Sequence, residues 1–485
     1  MNFSQIVSTL SSWIWGMPFI CICLVIGLYF SWRMRFLQVR FFKQMLQMLF
    51  QGKASASGIS SFQSFNLALA GRVGTGNIAG VATAIALGGP GAVFWMWTIA
   101  FFGAGTAYVE ASLGQVYKKK VDGNYRGGPA YYILKGLRNK PFAVLFAIVT
   151  VCSLGVLIPG VQSSAICAAF HHSFGIDNRI TAGMVVVLLA LVIFGGVKRI
   201  ARVAEIVTPF MAIGYVLVAV VILVLNYQHI PGVFLLIIKS AFGFDQALGG
   251  MVGSAISMGV KRGIFSNEAG QGTAPHAAAA CEVPHPAKQG LVQAFSVYVD
   301  TLLVCSATAL IILITGTYRV YDSSQQVVYS GLGMPESVTE YGPINTQLAV
   351  DATIPGFGSG FVAIALFFFA FTTLMSYYFQ AESNVYFLFR GKKTTFYFIN
   401  LLRVAILLVT FLAAFNTMTL AWNMADIGVG MMAWLNLIAI VLLRKVSLKV
   451  FSDFEKQYRA GIKEPVFRPD ELGIDNTETW NEMAE

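Results

Sequence analysis

The chain alternates long apolar stretches with short polar turns from near its N-terminus to about residue 443. A helix needs about 20 mostly apolar residues to cross a bilayer, and many of these stretches are long enough. The pattern predicts eleven membrane-spanning helices, at about 13–31, 60–87, 92–117, 142–169, 180–196, 204–226, 246–280, 289–316, 356–389, 396–415 and 418–443.

Two of the predicted spans are interrupted by residues that do not suit a continuous helix. The second span contains GRVGTGNIAGVATA at 71–84, with four glycines and the charged Arg72 at membrane depth. Glycine in a helix interior costs about 1 kcal/mol relative to alanine, and a charge inside the bilayer is expensive. The seventh span contains KRGIFSNEAGQG at 261–272. Both stretches predict helices that unwind within the membrane and free backbone groups for a ligand.

The two interruptions are related by an internal repeat with an offset of 190 residues. Six of the thirteen positions in 72–84 are identical to their counterparts in 262–274. Five spans run from the second to the sixth and five from the seventh to the eleventh, so the second set is inverted relative to the first. Broken helices at matching positions of inverted halves indicate a binding site near the middle of the membrane.

The basic residues give this arrangement a direction. Clusters of Lys and Arg follow the first, third, fifth, ninth and eleventh apolar stretches, and such clusters mark the cytoplasmic side. We therefore expect an external N-terminus, a cytoplasmic C-terminus and an external loop at 317–355. The apolar segment 230–244 is too short to cross and is expected at the outer surface. The predicted units are 1–58 (external N-terminus, peripheral first helix and cytoplasmic linker), 59–229 (first five-helix repeat), 230–450 (second five-helix repeat) and 451–485 (cytoplasmic tail, a polar surface segment of mixed charge).

Composition supports a polytopic membrane protein and excludes several other classes. Hydrophobic residues make up 56% of the 485 residues and charged residues 12%, against about a quarter in soluble domains. The formal charge of +10 falls mostly between spans, so no nucleic-acid partner is expected. The six cysteines form no CxxC pair and the five histidines no HExxH motif, so neither a disulfide framework nor a metal centre is indicated.

The broken helices can bind both a carboxylate and a cation. A helix that stops in the membrane leaves C=O groups at the end of its first half and N–H groups at the start of the next. The N–H end suits a substrate carboxylate, whereas the C=O end suits a small hard cation such as sodium. The sequence thus predicts a symporter. The alternatives of another class are a channel or passive exchanger and a membrane-embedded enzyme, while no GxxxxGK[ST] loop indicates a primary pump.

Four ordered motifs resemble the alanine or glycine:cation symporter family. They are GRVGTGNIAGVATA (71–84), GGPGAVFWMW (88–97), YRGGPA (125–130) and FSNEAGQGTAPHAAAA (265–280). The resemblance covers essentially the whole membrane region and implies an all-α leucine-transporter-like fold, with one extra N-terminal helix and a five-plus-five inverted repeat. It implies sodium-coupled import of a small neutral amino acid such as alanine or glycine across a plasma membrane, here a bacterial inner membrane. Apart from sodium and the lipid bilayer, no cofactor and no obligatory protein partner is expected.

The resemblance also implies roles for individual residues. The N–H groups of Thr75 and Gly76 would hold the substrate carboxylate, and the Asn77 side chain would orient the substrate or the ion. The substrate-binding residues implied are Gly74, Thr75, Gly76, Asn77, Gln162, Phe265, Ser266, Asn267 and Tyr377. The sodium ligands implied are the carbonyls of Ala70, Val73 and Phe369 and the hydroxyls of Thr372 and Thr373. No lysine in the neighbouring sequence could replace a bound cation, which favours sodium over proton coupling.

One departure from the family pattern concerns the substrate. Family members that handle small amino acids commonly continue the ninth span with a Gly-Trp pair, where this chain has Ser376 and Tyr377. This change alters the pocket wall, so a larger substrate such as glutamine is the alternative.

Ionisable residues in or beside the spans are expected to form internal ion pairs or gates, because isolated charges are costly there. The sequence does not pair them. They are Arg72, Glu110, Arg262, Glu268, Asp300, Glu382 and Asp426.

Overall fold

The computed structural model describes residues 3–51, 55, 57–245, 248–389, 392–477 and 479–480, and it is mostly helical. The start of predicted span seven (246–247) and the end of the predicted tail (481–485) lie outside the described residues.

The chain begins with two helices that meet at an angle of 40°, α1 (Phe3–Ile14) and α2 (Met17–Arg33). The bend lies at Gly16, which precedes α2, and next to Pro18, which belongs in the first turn of a helix because it lacks an N–H.

The next part of the chain forms ten α-helices and two π-helical turns. Ser60 and Gln63 make a capping box at the start of α5, and the Asn139 side chain caps α9. The elements are α3 (Leu37–Arg40), α4 (Phe42–Leu49), α5 (Ser61–Arg72), π1 (Gly76–Gly80), α6 (Val81–Gly88), α7 (Gly91–Val116), α8 (Pro129–Gly136), α9 (Lys140–Cys152), π2 (Ser153–Leu157), α10 (Pro159–Phe174), α11 (Asn178–Ile193) and α12 (Gly196–Leu225).

The apolar segment predicted to lie at the surface forms α13 (Ile230–Ala241), whose 12 residues are too few to cross a bilayer. Short 3-10 turns lie at Tyr227–His229, Gly249–Met251, Ala413–Phe415 and Asp470–Leu472. The remaining helices are α14 (Val252–Asn267), α15 (Ala274–Ala279), α16 (Pro286–Val297), π3 (Tyr298–Cys305), α17 (Ser306–Thr315), α18 (Pro343–Thr353), α19 (Gly358–Leu388), α20 (Lys392–Leu412), α21 (Met418–Leu442) and α22 (Arg444–Arg459).

Within the described residues, seven helical stretches are long and apolar enough to cross a membrane, and the bent pair α1–α2 makes an eighth. The two broken spans are not among them, and α11 is only 16 residues long. The stretches are Gly91–Val116, Lys140–Phe174, Gly196–Leu225, Pro286–Thr315, Gly358–Leu388, Lys393–Phe415 and Met418–Leu442.

Two short antiparallel hairpins mark the two ends of the helix bundle. Strand β1 (Lys119–Val121) pairs with β2 (Asn124–Arg126) just after α7, and β3 (Arg319–Tyr321) pairs with β4 (Val327–Ser330). The first hairpin follows the end of the 26-residue α7. The second lies near the start of α7, because β3 packs against α6, which precedes α7. The two hairpins therefore lie at opposite ends of the bundle. We call the end with β1–β2 the tail face and the end with β3–β4 the hairpin face.

The segment after α22 folds back onto the tail face, whereas the sequence predicted only a polar surface segment there. Phe467 and Trp480 are buried, and the Trp480 indole donates to Gln115 O at 3.0 Å. The Lys118 ammonium lies 4.8 Å from the Trp480 ring centroid and donates to Cys281 O. The two aromatic residues account for the difference, because their burial favours docking over an extended tail.

Candidate functional site

The first broken helix consists of α5 and the π1–α6 segment, separated at Val73 and Gly74. Val73 has φ −76° and ψ 90°, an extended conformation that ends the α-helix. The Gly74 N–H donates to Asn77 Oδ1 at 2.8 Å, and the Thr75 N–H donates to Gln162 Oε1 at 3.0 Å. The break therefore occurs where the glycines predict it, and Gln162 contacts the N–H end of the resumed helix.

Four of the five predicted sodium ligands meet at one hydroxyl. The Thr373 Oγ1 atom lies 2.9 Å from Ala70 O, 3.4 Å from Val73 O and 3.0 Å from Phe369 O. We call these four residues the oxygen cluster. The Thr372 hydroxyl also contacts Phe369 O at 3.0 Å, but its other neighbour is a methionine sulfur of α12 at 3.8 Å.

The oxygen cluster has more acceptors than protons. A hydroxyl carries one proton, so Thr373 cannot make a full hydrogen bond to all three carbonyls at once. The remaining contacts bring oxygen lone pairs together, and a cation between them would remove that repulsion. Hard cations prefer carbonyl and hydroxyl oxygens as ligands, so these residues fit a sodium ion chemically.

Gly74 lies between the oxygen cluster and Gln162. A Cβ atom at Gly74 would collide with the Thr373 hydroxyl and would lie 3.1 Å from Gln162 Oε1. Glycine is therefore required here for the close approach of the backbone to both groups.

The second broken helix consists of α14 and α15. After Asn267 the chain turns through Glu268 and Gly270, whose φ values are 55° and 85°. The Asn267 side chain accepts from Ala269 N at 3.0 Å and donates to Thr301 Oγ1 at 3.3 Å. Asn267 thus holds the turn and joins it to π3.

The two breaks touch each other at Gly76. A Cβ atom there would lie 3.0 Å from Ser266 Cα and 3.2 Å from the Phe265 ring. The Phe265 ring packs edge-on against Trp422, with 4.8 Å between ring centroids. The structure thus brings the predicted site residues Gly76, Phe265 and Ser266 into contact and adds Trp422 of α21 to them.

Tyr377 of α19 is the last of the predicted substrate-binding residues, and it lies next to Gln162. Both residues are buried, and the Tyr377 hydroxyl interacts with the side chains of Gln162 and Glu268. Its neighbour Ser376 donates to Leu67 O at 3.0 Å, which ties α19 to α5. Tyr377 therefore connects the contact at the first break with the turn of the second.

Asp300 of π3 lies between the two breaks, and the sequence did not assign it to the site. Its carboxylate accepts from Asn77 Nδ2 at 2.6 Å and from Thr301 Oγ1 at 2.7 Å. Ser266 Oγ lies 3.1 Å from one carboxylate oxygen and 3.0 Å from the other. A lone acid in an apolar span was a visible signal, but only the structure shows that it reaches both broken helices.

Arg262 has a carboxylate partner, which the sequence left open. Its guanidinium makes two hydrogen bonds to Asp426, at 3.0 and 2.9 Å, and Lys261 Nζ lies 2.7 Å from the same carboxylate. The guanidinium also lies 4.1 Å from the centroid of the Trp422 ring. The Arg262–Asp426 pair therefore packs against Trp422, and Trp422 in turn packs against the Phe265 ring beside Gly76.

Arg72, the counterpart of Arg262 in the repeat, is bonded differently. Its guanidinium donates to Gln293 O at 3.0 Å and contacts the Ser296 hydroxyl. The carboxylate of Glu382 lies 3.5 Å from Arg126. The carboxylate of Glu268 accepts from the Thr273 hydroxyl at 2.7 Å, and that of Glu110 accepts from the Asn436 amide at 2.8 Å.

A cavity of about 590 Å³ on the hairpin face ends at the Arg262–Asp426 pair and Trp422. Its walls come from α6, α10, α14 and α21 and from residues that precede α18. Because Trp422 packs against Phe265, these side chains separate the cavity from the junction of the two breaks.

The tail face is closed by a contact between the start of α5 and the end of α15. Ile59 forms a parallel bridge with Cys281, and Ile59 N donates to Ala280 O at 3.0 Å. Ser64 Oγ donates to Ala277 O at 2.8 Å. Cys281 is completely buried at this contact.

Residues 1–469 match the family model described as the sodium:alanine symporter family. This chain belongs to that family. The sodium/proton-dependent alanine carrier protein of Bacillus sp. (strain PS3) is 49% identical over 439 residues, which are 90% of this chain and 97% of that protein. The probable sodium/glutamine symporter GlnT of Bacillus subtilis (strain 168) is 43% identical over 480 residues, 98% of this chain and 96% of that protein. As a sodium:alanine symporter family member, the protein is a sodium-coupled membrane transporter and not an enzyme.

A solved structure shows the same helical fold. The substrate-bound outward-open state of a Na⁺-coupled sialic acid symporter aligns with a TM-score of 0.51, over 98% of this chain and 97% of that one. The identity is 14%, so the likeness concerns the fold alone.

Proposed function

We propose that this family member imports a small neutral amino acid, such as alanine or glycine, together with sodium by alternating access. The observation that carries the proposal is the oxygen cluster, which lies directly beside the N–H groups of the first break. The cluster supplies oxygens for sodium, and the N–H end of π1 suits a carboxylate. Because opposite charges bound side by side attract, each ligand raises the affinity for the other.

The substrate carboxylate binds at the N–H groups of Thr75 and Gly76, where Gln162 Oε1 now accepts from Thr75. An amide side chain has donors as well as an acceptor, so Gln162 can turn its NH₂ group toward an arriving carboxylate. Gly74 allows the approach of backbone and ligand, and Asn77 holds the break in shape through its bond to Gly74 N.

The substrate side chain lies against the residues where the second break and α19 meet. Phe265 and Tyr377 limit the space available to it, and Ser266 contributes a hydroxyl next to Gly76. Asn267 supports this wall through its bonds to the turn.

Eleven spans are proposed, in a five-plus-five inverted arrangement preceded by α1–α2. Eight come from the long stretches, and two broken helices and the shorter α11 complete the count. The lysines of β1 lie on the tail face, which supports a cytoplasmic tail face and an external hairpin face in a bacterial inner membrane.

Alternating access then requires that two contacts, one on the hairpin face and one on the tail face, open in turn. The cavity on the hairpin face leads from outside to Trp422 and the Arg262–Asp426 pair, which part to admit amino acid and sodium. On the tail face, the bridge between Ile59 and Cys281 parts to release them. A symporter requires that both closures never open together, which two separate contacts allow.

Glutamine is the second candidate substrate. Tyr377 stands where the resemblance leads us to expect tryptophan, and a hydroxyl next to Gln162 can hydrogen-bond a substrate amide. The relationship to GlnT at 43% identity is consistent with this alternative.

Uptake into proteoliposomes tests the proposal. We expect alanine, glycine or glutamine to accumulate when sodium is higher outside than inside, and to exchange with unlabelled amino acid in counterflow. Uptake that is indifferent to the sodium gradient would contradict coupling. Uptake that does not saturate and shows no counterflow would indicate a channel.

A further inference from the structure

The described residues 463–477 and 479–480, which we call the docked tail, contact the residues that hold the tail face closed. At the end of α7, the Trp480 indole donates to Gln115 O at 3.0 Å. Beyond the end of α15, Phe467 N donates to Pro284 O, also at 3.0 Å. The docked tail therefore connects the end of α7 with the loop that leaves α15.

Two side chains at the end of α7 hold the C-terminal end of α15. The Gln115 amide and the Lys118 ammonium both donate to Cys281 O, at 2.8 and 3.1 Å. The last carbonyl groups of a helix have no partner within that helix, and a cation is favourable beside them. Cys281 is also the residue whose bridge to Ile59 closes the tail face. Gln115 and Lys118 therefore keep one side of that closure in place.

The docked tail determines the surroundings of Lys118. This lysine is completely buried, and its ammonium lies between two rings, 4.6 Å from the Tyr125 centroid and 4.8 Å from the Trp480 centroid. The Thr479 hydroxyl donates to the backbone O of the same lysine at 3.0 Å. Release of the tail would admit water to the ammonium, and a hydrogen bond is weaker in water than in a low-dielectric interior. The bond from Lys118 to Cys281 O is thus strongest while the tail is docked.

Phe467 makes a second connection between the tail and the loop after α15. Its ring centroid lies 5.6 Å from that of the His285 ring and 5.0 Å from that of the Trp480 ring. His285 is completely buried, and its Nε2 atom lies 3.1 Å from Asp453 Oδ2 of α22. The loop therefore cannot follow α15 away from α5 while these contacts persist.

We propose that the docked tail restrains the tail face in its closed state, so that this face opens more readily once the tail is released. The inference rests on the proposed function, in which separation of Ile59 from Cys281 releases amino acid and sodium. Docking and closure stabilise each other, because both use Gln115, Lys118 and the loop at 282–285. Detachment of the tail therefore raises the fraction of molecules that are open on the tail face.

Hydrogen–deuterium exchange of the full-length protein in detergent tests this coupling with two backbone amides. Phe467 N–H donates to Pro284 O and reports release of the tail, whereas Ile59 N–H donates to Ala280 O and reports opening of the tail face. When sodium and alanine are titrated into the wild-type protein, the two exchange rates should change in the same direction. An Ile59 rate that changes by about tenfold while the Phe467 rate stays constant would overturn the inference, because coupling is reciprocal.

Removal of either aromatic anchor should open the tail face more often. Trp480→Ala should speed Ile59 exchange at least about tenfold, because loss of a buried tryptophan costs more than the about 1.4 kcal/mol that a tenfold change represents. Phe467→Ala loses the contact with His285 and should act in the same direction, so the outcome does not depend on one variant. Glu471→Ala, at an exposed position of the docked tail, is the matched control and should exchange as the wild type does.

An amide on the hairpin face separates a local effect from a general loss of stability. Gly331 N–H donates to Tyr318 O at 2.9 Å and should keep its wild-type exchange rate in every variant. Ile59 exchange that is unchanged in both aromatic variants, or that rises only together with Gly331 exchange, would show that the tail does not restrain the tail face. Failure of alanine, glycine and glutamine to enter proteoliposomes would instead contradict the proposed function, which the exchange rates do not measure.

Discussion

At the scale of single residues, the oxygen cluster shows what spacing can predict and what it cannot. Thr372 and Thr373 follow Phe369 by three and four positions, so all three lie on one face of a helix. The spacing therefore predicted that they share a helix face. It could not tell which hydroxyl reaches Ala70, because that depends on how α19 is rotated against α5. The structure selects Thr373.

Substitution of the two threonines should separate their contributions. Thr373→Ala removes the hydroxyl that faces Ala70 and Val73, so sodium activation of alanine uptake should need at least about tenfold more sodium, equivalent to about 1.4 kcal/mol. The KM for alanine at saturating sodium should change less. Thr372→Ala is the matched control and should shift sodium activation far less, while Thr373→Ser should restore it. Equal effects of the two alanine variants would contradict the assignment.

At the scale of secondary structure elements, the glycines of the first break have unequal surroundings. Gly76 touches the second break at Ser266, whereas a Cβ atom at Gly80 would meet the Trp422 ring at 3.5 Å, an ordinary contact. The sequence predicted both breaks because glycine weakens helices, but it did not show which glycine carries the contact between them. The sequence also did not place Asp300 at the site, because its hydrogen bonds depend on both π1 and α14 packing against π3.

Alanine substitutions at these two positions should therefore differ. Gly76→Ala forces the broken helices apart and should abolish alanine uptake, since the adjacent backbone of Ser266 cannot move away as a flexible side chain would. Gly80 has helical φ and ψ angles of −65° and −42°. Gly80→Ala should therefore leave the folded protein unchanged in stability or stabilise it by up to about 1 kcal/mol. Uptake and thermal unfolding in detergent measure the two effects. Loss of uptake in both variants would show that the difference in contact distance is not decisive.

At the scale of the whole molecule, the sequence did not show the partners of the two repeated arginines or the docking of the tail. Arg72 and Arg262 occupy matching positions, yet Arg262 pairs with Asp426 near the cavity while Arg72 bonds to α16. Identical residues could not reveal this, because Arg72 contacts α16 of the second half, whereas Arg262 contacts α21 of its own half. The tail was predicted as a polar surface segment, because Phe467 and Trp480 are too far apart to give a periodic apolar pattern. Their burial depends on tertiary contacts, such as those of Trp480 with Gln115 and Lys118.

The docked tail should detach when its aromatic anchor is removed. Trp480→Ala loses the indole hydrogen bond to Gln115 O and the contact with Lys118, so the segment after α22 should become accessible to trypsin at Lys463. The bond after Arg468 resists trypsin because Pro469 follows it. Glu471→Ala, an exposed residue of the same segment, is the matched control and should remain protected. Limited proteolysis of the protein in detergent measures the difference. Equal cleavage of the two variants would show that Trp480 does not anchor the tail.

The bridge between Ile59 and Cys281 gives the protein a native chemical reporter. The Cys281 thiol is inaccessible while the start of α5 rests on the end of α15, and it becomes reachable when they separate. The rate at which a maleimide modifies Cys281 therefore measures how much of the population is open on the tail face. Because this cysteine is already present, the occupancy of each conformational state can be followed over time without introducing a label site, once the exposed Cys21 and Cys152 have been replaced.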